Sequence, residues 1–215
     1  KLSDQYVKVL QTVLPSKNPV RINGNKWGCF IRNTEEHIVE RFADIFEKNM
    51  HGVDTMMVPC SGFKDLIIAS KKPKGINIKQ VIHFDILKGC VDIRQRIVQD
   101  WNGTRAHFTV VLTIVKEFYQ RTYNHPNCFQ MGSMDTFDDA YLDILKNFDN
   151  EEHLYSSWTE FKQLNHKFIH ADILSEPWLV TKHVKNSNVY LWLSDIAGWR
   201  ENIIGYGYKT LRNQL

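Results

Sequence analysis

At several points along the chain, small or acidic residues follow directly on a short apolar run. Met56-Met57-Val58 leads towards Cys60-Ser61-Gly62, Val81-Ile82-His83-Phe84 into Asp85, Phe168 to Ala171 into Asp172 and Ile173, and Val189 to Leu193 into Ser194-Asp195. Apolar runs of this length without alternation mark strands covered on both faces. If such strands lie parallel in an open sheet, their carboxyl ends share one rim. Ligands bind in the crevice outside that rim, where the strand order reverses, so polar groups there converge on one ligand. Asp85 follows Gly62 by 23 residues, near the roughly 20 at which an acidic residue takes ribose hydroxyls in dinucleotide folds. A carboxylate accepts both hydrogen bonds of a vicinal diol, and such charge-assisted bonds are about twice as strong as neutral ones.

The elements that must position these residues follow from periodicity. Segments 55–60, 81–85, 168–172 and 188–194 read as adjacent, mostly parallel strands. "FKDLIIAS" between the first two is a short helix, which with the turn "KKPKGIN" makes a compact βαβ unit. From about 88 to 167 the pattern is helical, in "VDIRQRIVQDW", "FTVVLTIVKEFYQR", "DDAYLDILKNF" and "SSWTEFKQL", broken around "YNHPNCFQMGSM". That is far longer than the dozen or so residues a minimal crossover needs, so it reads as a helical insertion. Upstream, 3–14 carries apolar residues at helical spacing. At 34–49 the stretch after Asn33 joins a cap to the face Ile38, Phe42, Ile45 and Phe46. The expected architecture is α/β, a Rossmann-like three-layer sandwich with a mostly parallel sheet. Residues 1–215 form a single domain with the insertion at about 88–167.

The motifs "VPCSGFKDL", "VIHFDI", "FIHADI" and "VYLWLSDI" resemble, in order, the first four strand ends of class I S-adenosylmethionine-dependent methyltransferases. The resemblance covers about half of the chain. It implies that Cys60, Ser61 and Gly62 face the methionine end of S-adenosylmethionine, Asp85 the ribose, and Asp172 with Ile173 the adenine. Ser194 and Asp195 would stand beside the transferred methyl, with Asp195 or a nearby His as the base for a hydroxyl or amine acceptor. Transfer would then proceed mainly by alignment of the reactants. The small-molecule or macromolecular acceptor stays unspecified.

A second reading is a non-catalytic Rossmann-like module of a larger viral or cellular protein, holding a protein partner through the insertion. The single glycine of the first turn, the short stretch after 199 and a first residue that is not Met favour it. A sugar-nucleotide transferase using a metal at Asp135, Asp138, Asp139 and Asp143 is a third, although the latter three also fit a helix start, where negative charge complements the macrodipole. His170 and Asp172 match the H-x-D pair of iron oxygenases, but His183 follows too closely to complete a triad. Cys60 has no evident base within its segment, which fits a buried thiol better than a nucleophile.

Composition narrows the classes further. The 215 residues are 43% hydrophobic and 24% charged, with a net charge of +3 from 27 basic and 24 acidic side chains and no basic tract, so there is no strong nucleic-acid signal. The 12 Phe and 6 Trp then argue for core rather than base stacking. Cys29, Cys60, Cys90 and Cys128 are widely spaced, as reduced thiols are. No run is long enough to span a membrane, and the expected setting is cytoplasmic.

Overall fold

A computed structural model describes residues 52–60, 62–72, 75–85, 88–123, 136–173, 176–184 and 188–191, with the side chains of 119–123 excepted. The helices expected at 3–14 and 34–49 lie outside the described residues. Within them the order is β1 (Thr55–Pro59), α1 (Lys64–Lys71), β2 (Gln80–Asp85), α2 (Lys88–Asp100), α3 (Arg105–Tyr123), α4 (Phe137–Leu145), α5 (Glu151–Lys162), β3 (Asn165–His170), α6 (Pro177–Thr181) and β4 (Val189–Leu191).

The strands form one sheet in the order β3-β2-β1-β4, and every pairing is parallel, as the apolar runs imply. Thr55 lies beside both Gln80 and Val189, and Gln80 lies beside Asn165, so the four strands start at one level. Burial follows position in the sheet. The inner strands β1 and β2 are buried along almost their whole length, whereas β3 is half-buried with exposed ends. This explains why β3 begins three residues before the stretch read from sequence and ends at His170, with Asp172 already beyond it. An edge strand lacks the fully apolar run that marks its inner neighbours.

The two sheet faces carry separate cores, as three layers require. On one face Met56, Val58 and Val81 pack with Leu66, Ile67, Ile93, Ile97 and Trp158 from the helices. On the other, Met57, Ile82 and Phe84 pack with Ile173, Val180 and Val184. Alternation along β1 and β2 assigns each residue to its side.

Among the described residues the insertion forms four helices, and two of them start at clear local caps. Asn150 caps α5 by accepting a hydrogen bond from the His153 amide at 2.8 Å. At α4, Thr136 and Asp139 form a reciprocal capping box, and Asp138 pairs with Arg105. Asp138 and Asp139 therefore serve the helix start, and no cluster of three metal-ligating side chains exists among the described residues. Trp101, Phe108, Tyr141 and Trp158 cluster where α2, α3, α4 and α5 meet, with Trp101 edge to face against Phe108 and Tyr141 and tilted against Trp158. Phe63 at the start of α1 joins the same cluster, which ties the insertion to the sheet layer. Trp158 donates its indole N–H to the Trp101 carbonyl at 3.1 Å, so its polar atom is satisfied inside the core.

Candidate functional site

The strand order reverses between β1 and β4: β2 and β3 lie to one side of β1, and β4 to the other. The carboxyl rim at this point is where an open α/β sheet leaves a crevice. Cys60 and Asp85 stand on the rim at one level, because the Cys60 amide donates to the Phe84 carbonyl at 2.9 Å. The rim continues across β3, where the Ala171 amide donates to the Asp85 carbonyl at 3.0 Å and Asp172 and Ile173 follow.

The candidate residues differ in what they present. Gly62 has φ +69, the left-handed region that glycine enters without the cost a Cβ brings, so the chain turns sharply from β1 into α1. Asp85 and Asp172 are half-buried. Cys60 is 5% exposed and belongs to the same buried core as Val58 and Phe63. Ile173 is 3% exposed and belongs to the opposite core with Phe84 and Val180, so it faces inward. Ser61, Ser194 and Asp195 lie outside the described residues. The structure thus gathers Gly62, Asp85 and Asp172 on one rim and turns Cys60 and Ile173 into the core.

Directly beneath the rim lies a polar cluster that the sequence reading missed. Asp65 in the first turn of α1, His83 in β2 and Arg94 in α2 are each at most 2% exposed. Arg94 Nη2 donates to Asp65 Oδ1, which also accepts the Leu66 amide at 2.8 Å. The Arg94 guanidinium lies over the Phe63 ring, 4.5 Å from its centroid. His83 Nδ1 is 3.2 Å from Asp65 Oδ2. On its far side, His83 Nε2 is 2.9 Å from His166 Nδ1 in β3, and His166 Nε2 is 2.8 Å from the Phe161 carbonyl oxygen.

Electrostatics follow from this enclosure. Burial pushes the Asp65 carboxyl up, but Arg94 and His83 together outweigh it and hold the group well below the usual carboxylate range. Burial lowers His83 to about 4, against the opposing pull of Asp65. Burial also lowers His166, with the Phe161 carbonyl opposing. The cluster is therefore an ionised Asp65–Arg94 pair beside two neutral imidazoles. One signal in the sequence could have revealed it: "VIHFD" places a histidine inside a strand buried on both faces, where a polar side chain must find partners.

Comparison of the chain with protein-family models, with curated proteins and with solved structures gives no match in any of the three.

Proposed function

We propose that the chain is an S-adenosylmethionine-dependent methyltransferase-like protein that binds the nucleoside cofactor along the carboxyl rim of the sheet. The observation that carries this reading is the strand order β3-β2-β1-β4, which puts the carboxyl end of β1, followed by the left-handed Gly62, beside the carboxyl end of β2 at the half-buried Asp85, with the reversal on the other side of β1. In this reading Gly62 lets the backbone approach the methionine end. Asp85 accepts the ribose hydroxyls and Asp172 stands towards the adenine. Ser194 and Asp195 belong to the acceptor side, and Cys60 and Ile173 contribute through backbone and packing. The inward side chains of Cys60 and Ile173 leave the carboxylates as the groups that discriminate.

Thermal melting with S-adenosylmethionine or its demethylated product tests the reading. A ligand that binds only the native state adds about 2.7 kcal/mol at a hundredfold excess over its dissociation constant, so a clear rise in Tm is expected. Asp85→Asn removes a charge-assisted bond worth about 1.5 to 3 kcal/mol and should weaken binding about tenfold or more. Asp138→Asn, on the α4 cap, should leave binding unchanged. No shift at millimolar nucleoside with a folded protein would end the cofactor reading.

A non-catalytic interaction module is the second reading, and one observation favours it. Val110, Ile114 and Phe118, four residues apart on α3, are 49%, 62% and 56% exposed. Beside them runs a groove of about 450 Å³ lined by Asp92, Gln95, Arg96 and Gln99 of α2. Such a stripe fits a protein partner docking on the insertion. Among the described residues, no helix is long and apolar enough to cross a membrane.

A further inference from the structure

The polar chain beneath the rim does not contain enough protons to complete its own hydrogen bonds. It runs from the Phe161 carbonyl through His166 and His83 to Asp65, with three close contacts of 2.8, 2.9 and 3.2 Å. Both ends are acceptors: a carbonyl oxygen at one and a carboxylate oxygen at the other. Three contacts between two acceptors require three protons, whereas two neutral imidazoles supply one each. One contact must face lone pair to lone pair. The geometry shows which. The two shorter contacts meet hydrogen-bond geometry, whereas the 3.2 Å approach of His83 Nδ1 to Asp65 Oδ2 is within ion-pair distance but does not. That assignment makes both imidazoles Nε2–H tautomers, all donors pointing away from Asp65.

We propose that the space between His83 Nδ1 and Asp65 Oδ2 is a built one-proton site at the base of the β1–α1 turn. On acidification a proton from water binds His83 Nδ1, and the resulting imidazolium donates to Asp65 Oδ2 while keeping its Nε2–H on His166. Three groups face His83 and set the balance. Asp65 from α1 favours the added charge, while Arg94 from α2 and His166 from β3 oppose it. The state of the site is felt at α1, because Asp65 Oδ1 accepts the Leu66 amide and Asp65 lies three residues after Gly62. If the turn seats a ligand as proposed above, ligand binding carries a proton linkage at this point. The proton site itself stands without that reading.

Long-range nitrogen-15 NMR of the histidine rings in the full chain tests it without any ligand. At about pH 8, well above the ordinary imidazole range, His83 and His166 should both be Nε2–H tautomers. His166→Phe keeps a planar ring but removes the acceptor for His83. Asp65 is then the acceptor left to His83, so its single proton should move and the ring should convert to the Nδ1–H tautomer. A merely structural role for His166 predicts no such conversion. The Leu66 and Gly62 amides should shift together with it. His83 found as Nδ1–H or as imidazolium at about pH 8 in the unmodified chain overturns the proposal, and so does an unchanged tautomer in folded His166→Phe. Should that variant fail to fold, the tautomer in the unmodified chain decides alone. Absence of nucleoside binding would sink the cofactor reading and leave the tautomer result untouched.

Discussion

Lowering the pH from about 7 to about 4 should destabilise this protein steeply, and His83 is the main reason. In the unfolded chain its imidazole takes up a proton at the ordinary value of 6.5, whereas burial holds it at about 4 in the folded state. A depressed folded value means that the stability is present in full above 6.5 and is lost as pH falls towards 4, because only the unfolded state gains the proton in that window. At about 1.4 kcal/mol per pH unit, His83 alone removes about 3 kcal/mol. His166, also lowered by burial, acts in the same direction. Against a typical total of about 5 to 15 kcal/mol this is a large fraction. The Asp65 carboxyl, held below its ordinary 3.8, contributes stability above that value and loses it only below, where the His83 window has ended. Urea unfolding followed by tryptophan fluorescence, at fixed ionic strength and at half-unit pH steps, should show the midpoint falling from about pH 6.5 downward. A midpoint that stays constant or rises between about pH 6.5 and 5 would refute the argument and imply that His83 is charged in the folded protein.

Two further outcomes concern single residues. Arg94→Met should cost about 3 to 5 kcal/mol in chemical unfolding, because it strands the ionised Asp65 in the core, and adding Asp65→Asn should recover part of the loss; equal stability of the two chains would show that the pair is not coupled. Gly103→Ala should cost about 1 to 3 kcal/mol, since Gly103 has φ +93 and a Cβ there would lie 3.0 Å from both Trp158 and Tyr155; an unchanged Tm would mean that the turn between α2 and α3 yields freely.

How much of this could be read in advance depended on how far apart the cooperating residues lie. The start of α4 was legible because its cause is local: Thr136 and Asp139 are three residues apart and satisfy each other's backbone. The inner strands were legible for a similar reason, since burial on both faces demands an unbroken apolar run. The edge strand β3 was placed late because half-burial relaxes that demand. Asp65 is an acidic residue in the first turn of α1, and its side-chain partner Arg94 lies 29 positions away in sequence.

The amino-acid sequence by itself determined the element types of the described residues, the parallel α/β class and the acidic end of β2 at Asp85, because each rests on the periodicity or capping of a few neighbouring residues. Only the tertiary structure decided the strand order, the inward turn of Cys60 and Ile173, and the cluster beneath the rim. Asp65 and Arg94 are 29 positions apart, and His83 and His166 are 83 apart. Bringing them together took the pairing of β2 with β3 and the packing of α1 and α2 on one face. Once buried, each polar group had to be matched against the others rather than against water, and that matching exists only in the assembled core.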